Sequence, residues 1–324
     1  MEKRKQNDGG SLEERNVIII GGGTAGFAAG VYTARAMLEP LLITGDALGG
    51  QLSLTLDLEN YPGFFGTEAA EFIKGMQEQA ERFGTEVRFD MVTSVDFNQH
   101  PFYLKTYEKE YLAKAVIICT GASPRTLNVP GEEKYGGRGV SYCATCDGAF
   151  FKGKEMAVVG GGDTAMGASL FLTRFATRVH VVHRRDAFRA SRIMAARVKA
   201  HPQIEVHWNS RIAEIGGSHE SGVTSVTLEG TADGKRTTYP WEAVFIAIGH
   251  KPNSDVWTDM LDQDGLGYIK TVPGSTYTNI PGIFASGDVQ DSVYRQAVTA
   301  AGTGCMAAID AERWLESQEA AQKE

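Results

Sequence analysis

Asn16-Val17-Ile18-Ile19-Ile20-Gly21-Gly22-Gly23-Thr24-Ala25-Gly26 is the stretch on which the fold turns. Its first part is a continuous apolar run, the pattern of a parallel strand buried on both faces. Glycines follow at once, and an alanine-rich, helix-forming segment continues to Met37. Pro40 to Ile43 reads as the next strand. Strand, glycine turn, helix and strand make a βαβ unit. In that setting the spacing Gly21-x-Gly23-x-x-Gly26 allows a tight turn and brings a dinucleotide's pyrophosphate close to a helix N-terminus. An ordinary glycine-rich turn is the alternative, and the flanking βαβ pattern weighs against it. The acid that usually binds the ribose, about 20 residues on, is missing. That strand ends Leu42-Ile43-Thr44-Gly45, so ribose contacts are expected from the backbone or from Thr44.

The pattern recurs. Met156 to Val159 is a short apolar strand, and Gly160-Gly161-Gly162-Asp163-Thr164-Ala165 leads into a helix that runs to about Phe175. Arg178 to His183 closes this second unit, which continues into Arg184-Arg185, with Arg189 just beyond. An NAD site would place an acid here. A guanidinium fork instead matches a 2′-phosphate in charge and shape, so the site favours NADP. The competing reading is a solvated basic face.

Two βαβ units predict an α/β protein with two doubly wound, Rossmann-like dinucleotide-binding domains. The apolar runs Ala115 to Cys119 and Ala243 to Ile248 each end in glycine, at Gly121 and Gly249. These are the expected crossings. Residues 122–249 then form a domain inserted into a first one made of 16–121 and 250–324. Residues 1–15 read as a disordered polar tail. They contain no apolar signal core, and no run approaches the roughly 20 apolar residues of a membrane span. A net charge of −8 argues against nucleic acid. Four cysteines in 324 residues fit a reducing, cytoplasmic setting better than a secreted scaffold.

Cys143-Ala144-Thr145-Cys146-Asp147 lies just before the second glycine loop. Cysteines at this spacing serve as a redox pair, as half of a zinc site or as an inert buried pair. A zinc site needs a second ligand pair, and Cys119 and Cys305 stand alone, so no metal is expected. Those two read as core thiols. Asp147 is a candidate proton donor or acceptor for a departing thiolate. Near the C-terminus, Ile283 to Ala285 reads as a strand leading to Gly287-Asp288, an acid placed to accept hydrogen bonds from a sugar-like chain. Arg295-Gln296-Ala297 opens a small-residue helix whose N–H groups are suited to a ring carbonyl.

With these segments in order, the chain resembles the low-molecular-weight thioredoxin reductases from Asn16 to about Leu315. The likeness rests on GGGTAG (21–26), LGGQL (48–52), ENYPG (59–63), CTGASPR (119–125), CATCDG (143–148), GGGDTA (160–165), HRRDAFRA (183–190), IAIGHKPN (246–253), ASGDV (285–289) and YRQA (294–297). The resemblance implies FAD on the first domain, at Gly21, Gly23, Thr24, Ala25, Gly26 and Thr44. Gly50, Gln51, Leu52, Asn60, Thr120 and Gly121 join them, as do Gly287, Asp288, Arg295, Gln296 and Ala297. It implies NADPH on the second, at Gly160, Gly162, Asp163, Thr164, Ala165, His183, Arg184, Arg185 and Arg189. Cys146 then faces the flavin, Cys143 attacks thioredoxin, and Asp147 is the acid. A homodimer and a rotation of one domain against the other are also implied. A flavin-dependent reductase of another thioredoxin-like or peroxiredoxin-system disulfide is the alternative. Gly167 and Ala168 stand where many members carry glutamates, and Ala149 where some carry phenylalanine.

Overall fold

A computed structural model describes residues 12–321. The chain divides into two compact units, one reaching Ser123 and resuming at Lys251, the other spanning Pro124–His250.

The first unit is built on strand β1 (Glu13–Ile20), helix α1 (Thr24–Arg35) and strand β2 (Leu41–Ile43). Helix α2 (Ala69–Phe83) leads to strands β3 (Glu86–Arg88), β4 (Val92–Asp96), β5 (Phe102–Thr106) and β6 (Glu110–Ile118). The sheet order is β3-β2-β1-β6-β5-β4, with β1 parallel to both β2 and β6. Both faces of β1 are covered. Ile18 and Ile20 enter one apolar cluster, and Val17 and Ile19 enter another. That double burial is why its sequence is apolar without alternation. By contrast, β5 alternates, with Phe102, Leu104 and Thr106 buried, because it pairs antiparallel near the sheet's edge.

The first strand starts earlier than the sequence suggested. Glu13 and Arg15 belong to β1 and were expected in the polar tail, of which residues 1–11 lie outside the described residues. Their side chains interlock with Glu86, Arg88 and Lys109 in an ion-pair cluster at the start of the sheet. A polar strand end is stable there because the inward charges of Glu13 and Arg15 have partners while Glu14 is exposed. Hydrogen bonds from Arg15, Arg88 and Lys109 outweigh the opposing effect of burial and hold the Glu13 carboxyl down at about 2.

The chain leaves the first unit through strand β7 (Ala122–Pro124). The second unit contains strand β8 (Val140–Ser141), helix α3 (Ala144–Asp147), strand β9 (Glu155–Val159), helix α4 (Asp163–Leu172) and strand β10 (Arg178–Val182). Helix α5 (Arg192–Ala200) and strand β11 (Ile204–His207) follow. Strands β12 (Ser210–Ser218), β13 (Gly222–Gly230) and β14 (Arg236–Tyr239) form an antiparallel sheet, and β15 (Ala243–Ile246) returns to the parallel one. The parallel order is β11-β10-β9-β15-β8. One face packs on α4 and α5 and the other on the antiparallel sheet.

Strand β16 (His250–Pro252) carries the chain back and pairs with β7. Strand β17 (Ile283–Ala285) then lies parallel to the end of β6, and helix α6 (Ala297–Ala321) packs along α1. The two helices approach closely because α6 presents Gly304: a Cβ there would sit 2.2 Å from the Ala25 carbonyl oxygen. Gly304→Val is expected to lower unfolding free energy by about 1–3 kcal/mol through overpacking. Gly302→Ala meets nothing within 4 Å and should be neutral or stabilising by up to about 1 kcal/mol. Denaturant unfolding of the two variants separates these outcomes. Among the described residues no helix is long and apolar enough to cross a membrane.

Candidate functional site

In the first unit, the turns that follow β1, β2, β6 and β17 all lie at the carboxyl ends of parallel strands, where α/β sheets bind ligands. The Gly21 N–H bonds the Ile43 carbonyl at 2.8 Å, and the Gly22 N–H bonds the Thr44 carbonyl at 3.0 Å. A Cβ on Gly26 would lie 1.8 Å from the Gly21 carbonyl oxygen, so only glycine lets the turn pass under the helix. Gly23, which caps α1, has open space where its Cβ would be, and no side chain caps that helix end. This is the cradle that a pyrophosphate requires.

The remaining FAD candidates gather around that turn. The Gly49 N–H donates to the Gly22 carbonyl at 2.8 Å and draws in the short 3-10 turn that carries Gly50, Gln51 and Leu52. The side chain of Leu52 packs against the Leu58, Ala69 and Phe72 cluster. Asn60 Nδ2 donates to Gln296 Oε1 at 3.5 Å, joining two candidates far apart in sequence. Arg295 holds a left-handed backbone (φ 46°) just before Ala297 starts α6, the kind of strained residue that collects at ligand sites. Asp291 fixes this loop by accepting the N–H groups of Val293, Tyr294 and Arg295. Gly287 lies against α1, since a Cβ there would be 2.8 Å from that of Ala25.

Two candidate hydroxyls have partners within the protein. Thr44 is buried beneath Gly22, and its Oγ1 donates to its neighbour's carbonyl at Gly45. Gly45, beside it, has open space where its Cβ would be. Thr120 Oγ1 donates to the Asn253 carbonyl at 2.7 Å, and Asn253 Nδ2 returns a bond to the Thr120 carbonyl at 2.8 Å. The Asn253 N–H also reaches the Gly121 carbonyl. Thr120 and Gly121 are thus tied to the returning strand, while Gly121, at φ 70°, has open space over its α-carbon.

Asp288 takes no hydrogen bond among the described residues. Burial, with Asp291 adding to it and Arg295 opposing, pushes its carboxyl up to about 6. A half-buried acceptor without a donor fits a ligand bearing hydroxyls, as the sugar-like chain of FAD does. Without ligand, the folded chain binds this proton more tightly than the unfolded chain does. Stability is therefore present at low pH and falls as pH rises from about 4 to about 6. Asp288→Asn should remove that fall in flavin-free protein and add up to about 3 kcal/mol at pH 7. Denaturant unfolding at pH 4.5 and pH 7 checks it, and an unchanged pH slope would refute it.

The second unit repeats the cradle. Gly160 has a left-handed backbone, and a Cβ there would meet the Ala247 carbonyl oxygen at 2.5 Å and the Ala165 Cβ at 2.7 Å. Gly162 caps α4 with open space over it and no capping side chain. The loop 183–190 folds back onto this turn, with the Arg189 and Ala190 N–H groups both bonding the Gly161 carbonyl. Asp163 serves the same closure, accepting the Ser191 N–H at 2.9 Å and its hydroxyl at 2.8 Å. Its carboxylate is thus engaged in shaping the loop, while Thr164 continues the first turn of α4.

His183 is buried under Gly161, with Nε2 bonded to the Ala187 carbonyl at 3.0 Å. Burial first, and the charges of Arg189, Arg185 and Arg184 after it, lower its pKa. The ring packs against the turn at Gly161 and supports the loop that carries the arginines. Arg184, Arg185 and Arg189 are exposed and form no ion pair among the described residues. Exposed guanidiniums without such ion-pair partners on one loop suit a phosphate monoester in charge.

Cys143 and Cys146 form a disulfide with a Cα–Cα distance of 5.3 Å. Both are half-buried. Cys143 precedes α3 and accepts, on its carbonyl, the N–H groups of Cys146 and Asp147. Buried Ser141 accepts the Cys143 N–H at 3.0 Å and orients it. Helix α3 is seated on α4 through Gly148, where a Cβ would lie 2.7 Å from Leu172. The disulfide and the second glycine loop therefore share one rigid support. Asp147 is half-buried directly after Cys146. Cys119 is a core thiol, pushed up to about 12 by burial despite a contact with Ser286. Cys305, expected in the core as well, is only partly buried because it lies on the flank of α6 toward Tyr32. Sequence reading passed over Asn253, Asp291 and Ser141, which position other groups. Asn253 alone lay within a quoted motif.

The profile of the pyridine nucleotide-disulphide oxidoreductase family matches residues 15–304. A thioredoxin reductase of Streptomyces clavuligerus is 50% identical over 307 residues, covering 93% of this chain and 94% of its own. One from Coxiella burnetii is 45% identical over 313 residues, covering 94% and 98%. The solved thioredoxin reductase of Giardia duodenalis aligns with a TM-score of 0.89 at 42% identity, over 94% of this chain and 100% of that one. The chain belongs to the pyridine nucleotide-disulphide oxidoreductase family, among its thioredoxin reductases.

Proposed function

We propose that the first unit is the FAD domain, that the second is the NADPH domain, and that the Cys143–Cys146 disulfide relays electrons to thioredoxin. The enzyme is an NADPH-dependent thioredoxin-disulfide reductase that uses FAD. The observation that carries the residue assignment is the formed disulfide, seated on the same helix that begins at an NADP-type loop.

FAD, when bound, supplies the two-electron carrier between a nicotinamide and sulfur. Gly21, Gly23 and Gly26 admit its pyrophosphate at α1. Asp288 accepts from its hydroxyl-bearing chain, and the loop from Arg295 to Ala297 borders its ring. Gly160, Gly162 and Ala165 admit NADPH, and Arg184, Arg185 and Arg189 hold its 2′-phosphate. Two electrons open the S–S bond and leave sulfurs at 143 and 146. Cys143 attacks the thioredoxin disulfide, forming a mixed disulfide and releasing one thioredoxin thiolate. Cys146 then attacks the Cys143 sulfur, restores the internal disulfide and frees the dithiol product. Asp147 supplies or holds the proton that a leaving thiolate needs.

A swivel about the paired β7 and β16 belongs to this reading, since two short strands suit rigid-body motion. So do a homodimer and a cytoplasmic setting. Anaerobic NADPH oxidation, with and without oxidised thioredoxin, tests the proposal. Turnover that requires thioredoxin is expected. Turnover with a peroxiredoxin-system disulfide and none with thioredoxin would overturn the choice of partner.

A further inference from the structure

The second unit holds a cluster that the relay does not use. His180 on β10 and His207 on β11 lie on adjacent strands, on the face that carries Val182 and Trp241. His180 is stacked on the buried ring of Trp241, with centroids 4.3 Å apart and planes 17° from parallel. That stacking fixes its ring plane. Its Nε2 lies 3.1 Å from Glu155 Oε2, and its Nδ1 lies 3.2 Å from His207 Nε2. With the Nε2 proton donated to the carboxylate, Nδ1 presents a lone pair toward His207. Glu205 closes the third side, with Oε1 3.7 Å from His207 Nε2 and Oε2 3.9 Å from His180 Nδ1. Arg178 holds Oε2 at 3.0 Å, which leaves Oε1 as the available oxygen.

We infer that His180 Nδ1, His207 Nε2 and the Glu205 carboxylate form a binding site for one divalent transition-metal ion of the zinc class, with water completing the coordination. The three ligand atoms lie within 4.8 Å of one another. A tetrahedral zinc with Zn–N bonds of about 2.0–2.1 Å keeps two nitrogens roughly 3.3 Å apart, and the imidazole nitrogens already stand at 3.2 Å. Two imidazoles select a transition metal over magnesium or calcium. Glu155 is a positioning residue. It binds the far nitrogen of His180, as carboxylates behind metal-bound histidines commonly do. Glu205 is half exposed, which gives the ion an entry path.

The test uses full-length, FAD-loaded, oxidised protein, in which Cys143 and Cys146 are held in their disulfide. Zinc alone is titrated in competition with a chromophoric chelator. One zinc per chain is expected. His207→Gln should weaken binding about 100-fold, and Glu155→Gln about tenfold. Glu205→Gln, at a half-exposed position that tolerates change, should also weaken it about tenfold. Zinc bound equally well by wild type and Glu205→Gln would overturn the site even if a histidine variant failed to fold. So would the absence of stoichiometric binding to the wild type. An EPR spectrum of the Cu(II)-loaded wild type should show coupling to two nitrogens, and coupling to none would contradict the assignment.

Discussion

Cys146→Ser is expected to lower kcat/KM for thioredoxin reduction roughly ten-thousand-fold or more, the scale on which removal of an obligatory nucleophile acts, while FAD stays bound. The reason is local. Cys143 and Cys146 are disulfide-bonded to each other, so a single serine leaves no internal disulfide to reduce or to re-form. The FAD candidates all lie in the other unit, and a serine is close in volume to a cysteine, so folding and flavin content should survive. The same variant separates the two sulfurs. If Cys143 is the attacking residue, Cys146→Ser should trap a mixed disulfide with a thioredoxin that keeps only the attacked cysteine, supplied with that sulfur activated as a disulfide to a small thiol, because neither protein then holds a second thiol to resolve it. Cys143→Ser should accumulate none. Mixed disulfide formed only by Cys143→Ser would exchange the two roles. Intact mass spectrometry after anaerobic incubation reads all of these outcomes, and visible absorbance reads the flavin.

Replacing Arg184 and Arg185 together by alanine is expected to raise KM for NADPH about 100-fold and KM for NADH less than about threefold. Hydrogen bonds to charged groups contribute about 1.5–3 kcal/mol each, and each 1.4 kcal/mol is about tenfold. Neither arginine has an acidic partner among the described residues that would be stranded by its removal. The loop that carries them is shaped by other groups: Asp163 on Ser191, His183 on Ala187 and the Gly161 carbonyl on two N–H groups. The loss should therefore fall on the 2′-phosphate and leave the shared part of the cofactor alone. Steady-state kinetics with both nucleotides measures it. Equal losses for NADPH and NADH would mean that the arginines serve the loop instead of the phosphate.

The sequence made both glycine loops legible because each lies between an apolar strand and a helix, and few residue patterns satisfy that turn. The buried run Val17 to Ile20 was equally plain, since a strand covered on both faces has no polar alternation to hide it. Glu13 and Arg15 were missed for the opposite reason. A charged strand end looks like a tail until Glu86, Arg88 and Lys109 arrive from elsewhere in the chain to pair with it. Thr44 and His183 occupied the expected places, but only the fold shows which way their polar atoms turn. Thr44 turns to Gly45 and His183 to Ala187. The pair His180 and His207 carries no spacing signal at all. Parallel pairing of β10 with β11 brings them together, and no short motif records a contact made across strands.

The central claim is that electrons reach thioredoxin through Cys143 and Cys146. Its most direct test is anaerobic reduction with limiting NADPH followed by excess oxidised thioredoxin, quenched with a mass-labelled thiol reagent. The peptide containing both cysteines is then weighed over time. Both residues should become labelled once NADPH is added and return to the disulfide as oxidised thioredoxin is then supplied and reduced, at a rate that matches turnover. A pair that stays unlabelled in its disulfide while thioredoxin is reduced would contradict the account.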